Sequence, residues 1–321
     1  MRLCHAAYGI VLRGQFHTKG VSLMSGPALR RGIYPPLPTF FAANEDLDLQ
    51  TYRRHIQHLA GTGLAGYVVM GTNGEAVHLS KDERIQVIEV ARETAGDDAL
   101  IIAGCGEQST RATIENCRGA ARAGADFALV LPPFYFKGRM SEQALLAHYR
   151  AVADASPLPV VIYNMPASAA GLDLSAATLC ALAEHENIVG VKDSAGDLAK
   201  LAQVIGQAPA SFAVFAGSAG YLLPALAVGA RGAVAALANV FPRQVCQLQH
   251  LFERGQLAEA QRLQALLAPA NTAVTTTYSV PGLKAALELI AGYGGHVRSP
   301  LQPLGEAERK RLAELLSLVP A

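Results

Sequence analysis

The sequence predicts a single (β/α)8 barrel, the TIM-barrel architecture, followed by a C-terminal helical extension. Three observations carry this expectation. From Gly32 onward, short β-rich apolar runs alternate with amphipathic helical stretches at nearly regular spacing, the pattern of a parallel α/β fold. The runs number eight, near 32–37, 66–70, 99–103, 127–131, 159–163, 188–192, 212–216 and 232–236, and eight is the barrel number. Several are unbroken, such as Ala99-Leu-Ile-Ile-Ala103, Pro159-Val-Val-Ile-Tyr163 and Ile188-Val-Gly-Val191, as strands covered on both faces require.

The helices between them carry their own punctuation. Ser80-Lys-Asp-Glu83 reads as a capping box opening a helix over 81–94, with Ile85, Ile88 and Ala91 along one face and Val87 beside them. Gly124, after Ala121 and Ala123, stops the next helix. Beyond the eighth strand, helical segments near 241–253, 256–267, 282–291 and 305–317 exceed what the outer ring needs. The expected organisation is an N-terminal extension over 1–31, the barrel over 32–250 and the helical extension over 251–321, which covers the barrel or builds a subunit contact.

Composition narrows the function. At 321 residues and 51% apolar the chain buries a large core in one catalytic domain. A net charge of +1, from 27 basic and 26 acidic residues, provides no field to gather nucleic acid or an anionic membrane, so small molecules are the expected partners. The five cysteines (Cys4, Cys105, Cys117, Cys180, Cys246) are scattered, odd in number and without CxxC spacing, which suggests a reducing compartment and neither disulfides nor zinc. No apolar run approaches the ~20 residues that span a bilayer. Arg2, Arg13, Lys19, Arg30 and Arg31 precede the first acidic residue, Glu45, a transit-peptide composition; Met24 offers the competing reading of a compact start behind an over-extended frame. The expected compartment is the cytoplasm, with the mitochondrial matrix as the alternative.

In barrels, chemistry collects at the C-terminal ends of the strands. Lys192 closes the apolar run Ile188-Val-Gly-Val191, where burial disfavours an ammonium; a neutral amine attacks a ketone to give an imine, which allows an adjacent carbon–carbon bond to break or form. The plainer reading is a lysine that reaches solvent or pairs with Asp193. Tyr163 ends the neighbouring strand and is either a proton shuttle or a packed ring with its hydroxyl bonded to backbone. The turn Gly71-Thr-Asn-Gly-Glu75 brings backbone N–H groups together, with Thr72 and Asn73 adding side-chain donors for a carboxylate, or is only a turn. Gly217-Ser-Ala-Gly220 contacts substrate, or Ser218 caps the next helix; a phosphate site is the weaker reading.

Other motifs fail. There is no Walker A sequence, HExxH or GxSxG, and the GxGxxG match at Gly61–Gly66 precedes a strand instead of opening a helix. His55 and His58 are expected on an exposed helix face, without the further ligands a metal needs. No metal and no organic cofactor is expected.

Taken in order, Gly71-Thr-Asn-Gly-Glu75, Pro133-Phe-Tyr135, Tyr163-Asn-Met-Pro166, Gly190-Val-Lys-Asp193 and Pro281-Gly-Leu-Lys284 resemble the dihydrodipicolinate synthase and N-acetylneuraminate lyase superfamily of class I pyruvate aldolases, from about Gly32 to Pro303. The resemblance implies Lys192 as Schiff-base nucleophile, Tyr163 as proton relay, and Thr72 with Asn73 as binders of the pyruvyl carboxylate. It implies that Tyr135 completes the relay across a subunit contact, hence a homodimer or homotetramer, and that Ser194 meets the far end of the substrate as in some members; Gly217 and Ser218 are the further candidate substrate contacts. The stretches Gly32-Ile-Tyr-Pro-Pro36, Gly138-Arg-Met-Ser141, Lys192-Asp-Ser194, Gly196-Asp197, Gly217-Ser-Ala-Gly220 and Ala236-Leu-Ala-Asn239 most resemble the 4-hydroxy-2-oxoglutarate aldolase branch, which yields pyruvate and glyoxylate. The lysine-biosynthesis branch, 4-hydroxy-tetrahydrodipicolinate synthase, carries an arginine shortly after its Tyr-Asn-x-Pro segment; Ala167-Ser-Ala-Ala170 has none, and Gly171-Leu-Asp173 is displaced by a loop one residue longer. That synthase, a sugar-acid aldolase and a non-catalytic barrel that binds a 2-oxo acid are the alternatives.

Overall fold

A computed structural model describes residues 28–320. The transit-peptide and over-extended-start readings of the N-terminal extension fall on residues 1–27, outside the described part.

Eight parallel strands form the barrel: β1 (Gly32–Tyr34), β2 (Gly66–Val69), β3 (Leu100–Gly104), β4 (Phe127–Val130), β5 (Val160–Asn164), β6 (Ile188–Asp193), β7 (Ala213–Ala216) and β8 (Gly232–Val234). The helices that follow them are α1 (Leu49–Leu59), α2 (Lys81–Ala95), α3 (Thr110–Arg122), α4 (Glu142–Ala155), α5 (Ala176–Ala183), α6 (Leu198–Gln207), α7 (Leu222–Ala227) and α8 (Pro242–Glu253); α9 (Leu257–Thr272), α10 (Ser279–Ala291) and α11 (Glu306–Leu316) come after. The strands pair in sequence from β2 to β8, and β8 pairs with β1.

The seam between β1 and β2 closes without a regular ladder. Pro35 and Pro36 have no N–H to give, so the expected first strand stops at Tyr34. Two bonds close the gap: Val68 N–H donates to Pro35 O at 3.0 Å and Leu37 N–H to Val68 O at 2.8 Å.

Side chains alternate as a pleat demands. Tyr34, Val68, Ile102, Leu129, Val161, Tyr163 and Phe215 fill the barrel interior, while Ile101, Ala103, Val160, Ile162 and Val191 face the helices. The expected capping box is present: Ser80 Oγ accepts from Glu83 N–H, and Glu83 Oε2 accepts from Ser80 N–H. Gly124 follows α3 with φ +97°, where a Cβ is unfavourable.

Two expectations are corrected. His55 is not on an exposed face but fully buried, because its helix turns Tyr52, His55, Ile56 and Leu59 into the core. There its Nδ1 lies 2.9 Å from Tyr293 Oη and its Nε2 3.0 Å from Asn239 Oδ1; His58 is exposed as expected. Secondly, α9 and α10 outrun the segments expected for them. Pro269 is accommodated inside α9, and Pro281 sits in the first turn of α10, where a missing N–H costs no intrahelical bond. No helix of the described residues is long and apolar enough to cross a membrane.

Candidate active site

Lys192 and Tyr163 are register partners on adjacent strands, and both point into the barrel near its C-terminal mouth. Both are 4% exposed, and Lys192 Nζ lies 3.9 Å from the centroid of the Tyr163 ring, a cation–π distance. The side chain therefore does not reach solvent. Nor does it pair with Asp193, whose carboxylate faces the other side of β6 and accepts from Lys200 Nζ at 2.9 Å, Asn164 Nδ2 at 2.7 Å and Ala195 N–H at 3.0 Å. Both plain readings of Lys192 thus disagree with its surroundings: among the described residues no carboxylate holds its Nζ.

Lys200 is the cation that sequence reasoning missed. It bridges Asp193 and, at 2.6 Å, Asp173 of the loop after β5. Burial alone would lower the Lys200 pKa, but its bonds to the two carboxylates outweigh that and leave it raised. The network ties the tips of β5 and β6 to the loop, and Lys192 Nζ takes no part in it.

Across the mouth, the turn after β2 contributes Thr72, whose Oγ1 lies 3.1 Å from Tyr163 Oη. Tyr163 O–H also meets Met165 Sδ at 2.6 Å. The turn is closed by Gly74 N–H on Gly71 O and Glu75 N–H on Thr72 O, both 3.1 Å, which leaves the Thr72 and Asn73 amides unused among the described residues. Thr72 and Tyr163 line a cavity of about 370 Å³ together with Gly71, Phe134 and Ser168. Asn73 is half-buried beside it and is not part of its wall.

Ser194, Gly217 and Ser218 gather at the ends of β6 and β7. A Cβ on Gly217 would come within 1.9 Å of Ser194 Oγ, so only glycine fits against that hydroxyl. Ser194 Oγ is buried and has no hydrogen-bond partner among the described residues. Ser218 does cap: its Oγ accepts from Gly220 N–H at 3.1 Å and from Asn271 Nδ2 at 2.9 Å.

Tyr135 stands apart. It is 76% exposed, its ring packs edge-on against Phe136 at 5.1 Å, and its backbone N–H is held by Gln108 Oε1 at 2.8 Å. Within one chain the structure does not bring it to Tyr163; it lines a recess that adjoins the cavity and shares Val77 and Phe134 with it.

The relatives of this chain are named aldolases and synthases, and it is an enzyme of that aldolase and lyase type. The chain belongs to the dihydrodipicolinate synthetase family, whose model matches residues 29–319. It is 43% identical over 298 residues to a probable mitochondrial 4-hydroxy-2-oxoglutarate aldolase of Emericella nidulans, covering 92% of this chain and 96% of that one. It is 40% identical to an L-threo-3-deoxy-hexylosonate aldolase of Hypocrea jecorina, covering 91% and 96%. The crystal structure of a dihydrodipicolinate synthase from Bacillus anthracis superposes with a TM-score of 0.88 at 30% identity, covering 92% of this chain and 100% of that chain.

Proposed function

We propose that this enzyme is a Schiff-base-forming, pyruvate-dependent aldolase that cleaves 4-hydroxy-2-oxoglutarate to pyruvate and glyoxylate. The observation that carries the reading is the buried Lys192 Nζ, free of any carboxylate and packed on the ring of Tyr163, whose hydroxyl meets Thr72.

Lys192 Nζ adds to the C2 ketone, and loss of water leaves an iminium. The C1 carboxylate lies at the Thr72–Asn73 turn, where two unused amides and the Thr72 hydroxyl face it. Tyr163 Oη takes the proton of the C4 hydroxyl as its own proton passes on through Thr72 Oγ1. The C3–C4 bond breaks, its electrons enter the iminium to give an enamine, and C4 leaves as glyoxylate. Protonation at C3 and addition of water then release pyruvate and restore the amine. Ser194 Oγ, unpartnered at the end of β6, is the donor for the far carboxylate.

Tyr135 enters through assembly. Val77, Tyr135 and Phe136 are 82%, 76% and 69% exposed, an apolar patch that a second copy of the chain covers in this reading, carrying Tyr135 to the partner's relay. The assembly is a homodimer or a homotetramer built from it. For the compartment, the mitochondrial label of the Emericella relative supports the matrix over the cytoplasm, and fractionation of the native source decides between them.

Borohydride reduction with pyruvate, then with 4-hydroxy-2-oxoglutarate, followed by peptide mapping, tests the reading. A pyruvyl adduct on Lys192 with glyoxylate released supports it. An adduct without glyoxylate moves specificity to another aldehyde; the name of the Hypocrea relative makes a sugar-acid aldolase the first to try, ahead of the synthase, whose arginine is missing from Ala167–Ala170. No adduct under either condition favours a binding barrel.

A further inference from the structure

The turn that presents Thr72 ends on Glu75, and the backbone there is strained: Glu75 has φ 51° and ψ 37°, a left-handed conformation that an L side chain rarely holds unaided. Its carboxylate is 1% exposed and points away from the cavity, into the C-terminal segment. Lys284 Nζ of α10 donates to Oε1 at 2.6 Å, Arg298 N–H to Oε2 at 3.0 Å, and His78 Nδ1 lies 3.1 Å from Oε2. Lys284 is itself 2% exposed; its ammonium also donates to His296 O and sits 4.6 Å from the centroid of the Phe41 ring. Arg298 is fixed in turn by Glu83, at 2.6 and 2.9 Å, the residue that closes the capping box of α2.

A buried lysine and a buried glutamate contribute little net stability as a pair, since desolvating both charges offsets most of their attraction; their use is to fix geometry. Here the fixed geometry is that of the site. From Lys284 Nζ the path runs to Glu75 Oε1, from Glu75 N–H to Thr72 O at 3.1 Å, and from Thr72 Oγ1 to Tyr163 Oη at 3.1 Å. Thr39 Oγ1 donates to Gly74 O at 2.7 Å and holds the turn from the other side. Burial lowers the Lys284 pKa and Glu75 opposes that shift, so the Lys284 charge leans on its partner.

We propose that Lys284, through its ion pair with Glu75, is a positioning residue for the carboxylate-binding turn, which makes the segment from α10 to Arg298 part of the active-site machinery and more than a cover for the barrel. The inference rests on the pyruvyl-aldolase reading, which places the substrate carboxylate at Thr72 and Asn73.

The test uses Glu75→Gln, which keeps the shape and one of the two acceptor oxygens but drops the charge, and the double change Glu75→Gln with Lys284→Met, which removes both charges without stranding either. Each full-length variant is checked for folding by circular dichroism and trapped with borohydride over a range of pyruvate concentrations. The expected result is a rise of about tenfold in half-saturating pyruvate for the double variant, and about threefold for Glu75→Gln, with Lys192 still trapped fully at saturation: a loss of about 1.4 kcal/mol for each tenfold. Folded variants whose half-saturating pyruvate matches the parent overturn the proposal, because a merely structural pair lowers melting temperature and leaves that value unmoved. Should the double variant fail to fold, Glu75→Gln decides alone. Should the parent itself give no adduct, the Schiff-base reading fails, and pyruvate binding by calorimetry on the same variants still decides the positioning role: unchanged affinity refutes it, weakened affinity sustains it.

Discussion

Tyr163→Phe removes one oxygen and leaves the ring on which Lys192 Nζ rests at 3.9 Å, so imine formation and the relay can be separated. The lost hydroxyl has two contacts, Thr72 Oγ1 at 3.1 Å and Met165 Sδ at 2.6 Å. Each is a neutral bond of net worth about 1 kcal/mol, and water in the cavity can take the place of the oxygen beside Thr72, so destabilisation stays below about 2 kcal/mol, or about 3 °C in melting temperature for a chain of this length. Catalysis loses far more, because a positioned acid–base group contributes roughly 10²- to 10⁴-fold. The expected outcome is a fall in kcat of at least about 100-fold with KM changed little, measured as pyruvate release coupled to NADH oxidation by lactate dehydrogenase. Borohydride with saturating pyruvate should still label Lys192. A variant retaining kcat within about fivefold of the parent would refute the relay, since no positioned proton transfer is that dispensable.

Lys192→Ala should abolish turnover and borohydride labelling together while leaving the barrel folded, because it removes one strand-end side chain that no carboxylate holds; loss of circular dichroism signal instead would make the lysine structural. Tyr135→Ala should lower kcat yet leave pyruvate trapping intact, and mixing it with Lys192→Ala should restore part of the activity if the tyrosine acts across subunits; no recovery in mixtures argues that it serves its own chain. Acid should weaken the fold through His55, which burial pushes down to about 4 from the usual 6.5. Its folded form stays neutral while the unfolded chain takes up a proton, so the contribution is complete above about pH 6.5 and lost as pH falls toward 4, on the order of 3 kcal/mol. Urea midpoints across that window for the parent and His55→Gln check this: a parent slope matched by the variant sinks the assignment.

What the sequence made legible divides along contact distance. The strands were readable because burial on both faces turns them into apolar runs, and Lys192 and Tyr163 were readable because each is a polar residue ending such a run, a local contradiction. Strand β1 was over-extended by three residues because its apolar character continues through Pro35 and Pro36, while ladder bonding needs N–H groups they lack. Helices α9 and α10 were cut short for the converse reason, since a proline in sequence marks a break that first-turn placement or tertiary packing can absorb.

The residues that fix the site were harder to find, because their partners are remote. Glu75 meets Lys284 across 209 positions, and His55 meets Asn239 and Tyr293 across 184 and 238. In each case a signal existed but was local and ambiguous. Lys284 interrupts the apolar stretch Val280-Pro-Gly-Leu283 and Ala285-Ala-Leu287, and His55 falls between Tyr52, Ile56 and Leu59 on the helix's inward face. A charged or polar residue at core periodicity is a claim that a buried partner exists; sequence alone does not name it. In this barrel the partners come from the last 80 or so residues, by way of the turn after β8 and the chain around α10, and they converge on α1 and the turn after β2. Cutting the chain after α8 should therefore do more than expose an apolar face. It strips Glu75 of Lys284 and Arg298 and His55 of one of its two bonds, leaving the strained turn beneath Thr72 held by Thr39 and His78.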